Sequence, residues 1–110
     1  MAYDNALAER IRKQLGRRPG MIEKSMFGGI GFLMHGNLCC GVYRNEMIVR
    51  IKPETTADAV RARYVRIFNI TGRPMKGWVL VAAGGVATDE ALAKWVHTGL
   101  SYTATLPRKD

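Results

Sequence analysis

Apolar residues recur at helical spacing at the start of the chain, where every fourth residue from Tyr3 to Leu15 is apolar. Asp4 precedes most of this stripe and is a residue type that favours a helix N-cap. The pattern predicts an amphipathic helix from about Asp4 that ends at Gly16 or at Pro19-Gly20.

From Met21 to Lys52 the pattern changes to short alternating runs separated by turn residues, which is typical of an antiparallel meander. Four strands fit, at about 22–27, 30–35, 38–43 and 47–52. Gly36-Asn37 is predicted as the two-residue loop between the second and third strands. The next loop is Arg44-Asn45 or Asn45-Glu46, and both choices preserve the same register.

This register divides the side chains between two faces of the sheet. The predicted core face holds Leu33, Leu38, Cys40, Val42, Met47, Val49 and Ile51. The opposite face is also apolar, and its residues form a predicted self-association surface: Ile30, Phe32, Met34, Tyr43 and Ile48. An apolar sheet face is unfavourable in contact with water, so we expect something to cover part of it. A second subunit, a partner protein and the chain's own C-terminal segment are the candidates, and we favour the second subunit.

The second half of the chain predicts a short helix over about 55–63, an extended or irregular segment over 65–70 and an apolar strand over 78–82. Thr88 is the predicted N-cap of a final helix. One face of this helix is a core stripe that is expected to pack on the sheet: Leu92, Trp95, Val96, Gly99, Thr103 and Leu106. The fold class is therefore α+β: a two-layer domain over residues 1–110, with an antiparallel sheet of about five strands, N- and C-terminal helices and one short middle helix.

The net charge of the chain is compatible with nucleic-acid binding but does not by itself indicate that function. The chain carries 17 Lys and Arg against 9 Asp and Glu, a formal charge of +8 that is spread over both halves. This excess attracts polyanions but also keeps small proteins in solution. The candidate cations for DNA or partner binding lie on the first helix and in the Gly72–Trp78 turn: Arg10, Lys13, Arg17, Arg73 and Lys76.

Catalytic, metal and cofactor motifs are absent from the sequence. Gly28-Gly29-Ile30-Gly31 lacks the spacing of a phosphate loop and predicts a tight corner between strands. The adjacent Cys39 and Cys40 are expected to point to opposite faces, and neither has a metal-ligand spacing with His35 or His97. We expect no enzymatic activity, no cofactor and no metal. Free thiols and the lack of a membrane-span or signal-peptide pattern favour the cytoplasm.

Several ordered motifs resemble the TfoX N-terminal domain family. They are Met26-Phe27-Gly28-Gly29-Ile30-Gly31-Phe32, Gly36 with Cys40-Gly41-Val42, Gly72-Arg73-Pro74-Met75-Lys76-Gly77-Trp78-Val79, and Trp95-Val96 with Leu106-Pro107. The resemblance runs along nearly the whole chain. It implies a small α+β domain of secretion-chaperone-like shape, without catalytic residues.

The resemblance further implies a bacterial regulatory or adaptor domain that binds a protein partner or DNA. In full-length members a second domain follows, and the protein regulates competence genes together with a cyclic-AMP-responsive activator. No helix-turn-helix spacing is present, so any DNA contact is expected to be nonspecific and to phosphates. The alternatives are a chaperone-like or structural homodimer that binds peptides on the apolar sheet face, and a small-ligand protein or enzyme.

Overall fold

A computed structural model describes residues 3–109 of the 110-residue chain. Met1, Ala2 and Asp110 belong to the predicted domain limits of 1–110 but lie outside the described residues. The helices and strands, in chain order, are α1 (Asn5–Leu15), β1 (Met21–Met26), β2 (Gly29–Met34), β3 (Asn37–Tyr43), β4 (Glu46–Arg50), α2 (Thr56–Ala59), β5 (Val65–Phe68), β6 (Met75–Val81) and α3 (Asp89–Thr103), with 3₁₀ turns at Pro53–Thr55 and Ala83–Val86.

The described strands form one antiparallel sheet in the order β1-β2-β3-β4-β6-β5. The predicted α+β class is confirmed, with six strands where about five were expected. The additional strand is β5, within the segment predicted as extended or irregular. The middle helix stops earlier than predicted, at Ala59, and a turn with Tyr64 at φ 72° leads into β5.

Both long helices begin at a residue type that favours an N-cap, and α1 ends at a glycine. The Asp4 carboxylate accepts a hydrogen bond from the Leu7 N–H at 3.1 Å, and Gly16 ends α1 with a φ of 62° that favours glycine. The Thr88 hydroxyl accepts the Ala91 N–H at 3.1 Å at the start of α3. The predicted N-caps of both helices are therefore confirmed.

A β-bulge between β2 and β3 changes the predicted register. Their loop is His35-Gly36 rather than Gly36-Asn37, so that Met34 pairs with Asn37 and Leu33 with Leu38. Beyond the bulge Phe32 pairs with Cys40, which leaves Cys39 as the extra residue of β3. A bulge places two residues of one strand opposite one of its neighbour, so the faces on either side of it no longer alternate simply.

The bulge corrects the predicted faces. Ile30 and Phe32 lie in the helix-side core with Cys40 and Val42, whereas Leu33 and Leu38 lie in the core of the opposite face with Ile48. The predicted self-association surface is thus divided between the two sides of the sheet. The two cysteines do not diverge as expected: both belong to the helix-side core, with their Sγ atoms 3.8 Å apart.

The second face of the sheet is covered largely by the chain itself. Phe68 of β5 is fully buried there with Leu80, and Trp78 packs against them. The Phe27 ring, from the tight β1–β2 corner that the glycines predicted, reaches the Phe68 ring at a centroid distance of 5.2 Å. Because β1 and β5 are opposite edge strands, this contact requires a strongly curved sheet.

Candidate functional site

A groove runs between α3 and the segment 51–59, and we call it the α3 groove. Its volume is about 460 Å³ and its lining is mostly apolar. The residues that line it are Ile51, Lys52, Thr55, Ala59, Trp95, His97, Thr98, Ser101, Tyr102 and Thr105. No carboxylate is among them. This size and character are typical of a site that takes apolar side chains or a small ligand.

The wall on α3 follows from helical periodicity. Leu92, Val96 and Gly99 are buried against the sheet. Trp95, at the edge of this buried side, and Tyr102, one heptad later, leave part of each ring open to the groove because the helix covers only one side of each. Trp95 therefore does not act only as a core residue, although the sequence placed it in the core stripe.

Close contact between α3 and the sheet depends on Gly99. A Cβ at this position would overlap the carbonyl oxygen of Cys39 in the bulge. The helix backbone therefore lies directly on the bulged strand, and this sets the depth at which the flank of α3 meets the segment 51–59.

The opposite wall is held by Thr56. Its hydroxyl donates to the Pro53 carbonyl at 2.7 Å and accepts the buried N–H of Gly77 at 2.8 Å. The Ile51 N–H donates to the Gly77 carbonyl at 2.8 Å. These bonds tie the short segment to β6, so the wall is anchored although it contains only a 3₁₀ turn and a four-residue helix.

Three cations are near the α3 groove: Lys52 is part of its lining, Arg50 contacts the ring of the lining residue Tyr102, and Lys76 precedes Gly77, which is hydrogen-bonded to Ile51. The Arg50 guanidinium is 4.8 Å from the centroid of the Trp78 ring and 5.7 Å from that of Tyr102. Lys52 and Lys76 are both exposed and each lies one residue from the Ile51–Gly77 hydrogen bond. We call Arg50, Lys52 and Lys76 the cationic end of the groove.

The structure does not bring the five predicted cations onto one surface. Lys13 is exposed on α1 and Arg17 is exposed just after it. Helix α1 lies near edge strand β1, because its Arg12 contacts Glu23 of that strand. Arg73 is exposed in the turn that follows the other edge strand, β5. Lys76 lies apart from the first two as part of the cationic end.

Arg10 has a structural contact. Its Nη2 donates to the Val86 carbonyl at 2.9 Å and lies 3.4 Å from Oδ1 of Asp89, which joins α1 to the start of α3. A guanidinium committed to a carbonyl has fewer donors left for a phosphate.

A second cavity of about 450 Å³ lies at the β2–β3 hairpin, where the chain after α3 crosses it. The Asn37 Nδ2 donates to the Pro107 carbonyl at 2.8 Å, and the Lys109 N–H donates to the His35 carbonyl at 2.8 Å. These bonds attach the segment after α3 to the hairpin. The cavity is the space left between these two packed parts of the chain.

The adjacent thiols of Cys39 and Cys40 shift each other's pKa. A hydrogen bond from Cys40 lowers the pKa of Cys39, while that bond and burial raise the pKa of Cys40. Both thiols are buried. His97 is exposed on α3, with Nε2 3.2 Å from the Ser101 hydroxyl. Residues 3–109 contain no group of three or more side chains suited to hold a metal.

Sequence reasoning missed the α3 groove. Trp95 at the edge of the core stripe and Thr98, Tyr102 and Thr105 beside it do recur at helical spacing, and this was the available signal. The other wall has no such pattern, because its position depends on the hydrogen bonds of Thr56 and Ile51 to the distant Gly77.

The model of the TfoX N-terminal domain matches residues 13–102, and the chain therefore belongs to the TfoX N-terminal domain family. This membership makes it a TfoX-like regulatory domain. No curated protein and no solved structure matches the chain. Within residues 3–109, no helix is both long and apolar enough to cross a membrane.

Proposed function

We propose that this TfoX-like regulatory domain acts as an adaptor that binds a protein partner in the α3 groove. The observation that carries the proposal is the groove itself: an open, mostly apolar depression between two anchored walls, with parts of two aromatic rings exposed in it. Aromatic residues in a partly desolvated groove are typical anchors for a partner's apolar side chains.

Direct DNA binding has less support. A duplex is held by several cations on one surface that follow its backbone. Arg10 donates to a backbone carbonyl, and the other candidate cations are separated over both edges of the sheet. The +8 charge supports weak, salt-sensitive contacts, which are compatible with a main role in protein binding.

The proposal is tested with a displayed random-peptide library selected on the purified domain. Selected peptides are then synthesised and titrated against the wild type by following Trp fluorescence. The variant Thr98→Tyr places a ring in the groove from α3 and is expected to abolish binding. The variant Ala57→Tyr adds the same ring at an exposed position of α2 that does not line the groove, and it is expected to bind as the wild type does.

Two results would overturn the proposal. One is that no peptide is enriched above the background of the library. The other is that the enriched peptides bind Thr98→Tyr as tightly as the wild type, which would place them elsewhere on the domain. A parallel anisotropy titration with mixed-sequence duplex DNA, at low and near-physiological salt, measures the competing function.

A further inference from the structure

We infer that the α3 groove selects an acidic amphipathic segment of its partner protein, whose apolar side chains enter the groove and whose carboxylates meet Arg50, Lys52 and Lys76. This inference rests on the proposed function, and it adds the chemistry of the partner. It follows from the lack of carboxylates in the groove lining, from the lack of ion pairs between the three cations and described residues, and from the positive net charge of the chain.

The three cations of the cationic end form no ion pair with a described residue. Among residues 3–109, the ion pairs involve Arg10, Arg12 and Arg66, and none of the three cations at the groove takes part in one. Two carboxylates occur on the neighbouring wall, Glu54 and Asp58, but both are exposed and neither lines the groove. Lys52 in the groove lining and the neighbouring Arg50 and Lys76 are therefore positive charges that a partner's carboxylates can neutralise.

Arg50 is the most specific of the three. Arg50 is half-buried, and its guanidinium lies within cation–π distance of the rings of Trp78 and Tyr102. These contacts restrain the group, and no hydrogen bond to a described residue occupies its N–H donors. A guanidinium presented in this way suits bidentate binding of a carboxylate. Tyr102 also lines the groove, so an apolar anchor in the groove and a carboxylate on Arg50 are contacts that one short segment makes together.

Other occupants fit the same features less well. A second copy of this chain carries the same net charge of +8 and brings repulsion to a cationic end. Duplex DNA satisfies the charges but leaves the apolar lining without a partner. An acidic segment with apolar anchors satisfies both the positive charges and the apolar lining. If the segment is helical, anchors and carboxylates at spacings of three and four residues lie on the same side of the helix.

The experiment uses three matched sets of displayed peptides that share the same spacing of Leu and Phe anchors and differ only at the flanking positions, which are Glu, Gln or Lys. At low salt the Glu set is expected to bind about tenfold tighter than the Gln set, because several exposed ion pairs each add a small increment. The Lys set is expected to bind weakest. The preference for Glu should decrease as salt screens the charges.

Charge variants of the domain test whether the preference for the Glu peptides arises at the cationic end of the groove. Lys52→Glu combined with Lys76→Glu is expected to reverse the order, so that the Lys set binds tighter than the Glu set. Arg50→Gln is expected to remove most of the preference while binding of the Gln set is retained. The matched control is Lys13→Glu combined with Arg17→Glu, which makes the same charge change on and just after α1 and is expected to keep the preference for Glu.

The possible results distinguish failure of the acidic-partner inference from failure of the proposed groove. Equal binding of the Glu and Gln sets, with both lost in Thr98→Tyr, would overturn the acidic partner and leave the protein-binding groove in place. Binding by none of the sets would remove the groove as a peptide site. A preference for Glu that the control abolishes as strongly as Lys52→Glu with Lys76→Glu does would assign the effect to net charge and overturn the inference. A rise in mass with protein concentration that Thr98→Tyr removes would identify a second copy as the occupant and would overturn it too.

Discussion

The rings of Phe27 and Phe68 meet edge to face, with centroids 5.2 Å apart and planes inclined at 64°. Phe27 occupies the turn after edge strand β1 and Phe68 belongs to the opposite edge strand, so their contact closes the curved sheet over its second face. Phe27 reaches this position with a φ of 54°, which is unfavourable for a bulky side chain. A face that looked bare in the sequence is covered by this pair and its neighbours.

Replacement of Phe68 by Ala is expected to lower the free energy of unfolding by about 3–5 kcal/mol, because the ring is fully buried. Phe27→Ala should cost less, since Phe27 is 39 % exposed. Urea denaturation of both single variants and of the double variant measures the coupling, which we expect to be about 0.5–1.5 kcal/mol for an aromatic pair. A coupling of zero would show that the rings do not stabilise each other.

Thr56 and Thr55 provide a matched pair for the groove wall. Thr56→Val removes the acceptor of the buried Gly77 N–H and should destabilise the protein by about 1–3 kcal/mol. Thr55→Val removes only an exposed bond to the Lys52 carbonyl and should cost less than about 1 kcal/mol. Thermal or urea denaturation compares the two. Equal costs would contradict the role of Thr56 as the anchor of the segment 51–59.

Arg10 and Lys13 are expected to separate stability from surface charge. Arg10→Ala removes the bond to the Val86 carbonyl and should lower stability by about 1–3 kcal/mol. Lys13→Ala, on the exposed side of α1, should change stability by less than about 0.5 kcal/mol. If the domain has a weak affinity for DNA at low salt, Lys13→Ala should reduce it more than Arg10→Ala does. The reverse order would restore Arg10 as a phosphate contact.

The vicinal thiols make a prediction about titration. Cys40→Ala removes the hydrogen bond that lowers the pKa of Cys39, so the pKa of Cys39 should rise. Cys39→Ala should lower the pKa of Cys40 only in part, because burial continues to disfavour its thiolate. Thiolate absorbance followed against pH tests both changes.

Burial adds an independent check on the same pair. Both thiols are enclosed in the helix-side core, so alkylation of the native protein should require local opening and be much slower than alkylation in urea. Rapid modification under native conditions would contradict the position of Cys39 in the bulge.

Functional residues were harder to identify from the sequence than structural ones. Lys76 was singled out as a loop cation, and the fold places it one residue from the Ile51–Gly77 hydrogen bond. Arg10 carried the same expectation and instead contacts a carbonyl 76 positions away. A cation's role depends on what the fold places next to it, and that neighbour is usually distant in sequence.

Elements whose cause is local could be predicted from the amino-acid sequence alone. The four-residue stripe and Asp4 specify α1, Thr88 and the following stripe specify α3, and alternation specifies the strands of the meander. The ordered motifs carried the family. In each case the information lies within one element or in a pattern along the chain, so no distant contact is needed.

The bulge at Cys39, the pairing of β5 and the α3 groove could not be predicted in this way, because they depend on contacts of the folded chain. A bulge of one residue reverses every face assignment on one side of it, yet it leaves no periodic signal in the sequence. The groove exists because Gly99 lets α3 lie on the bulged strand while Thr56 ties the opposite wall to β6. Each of these contacts joins residues far apart in the chain, and the packing of the whole fold selects them.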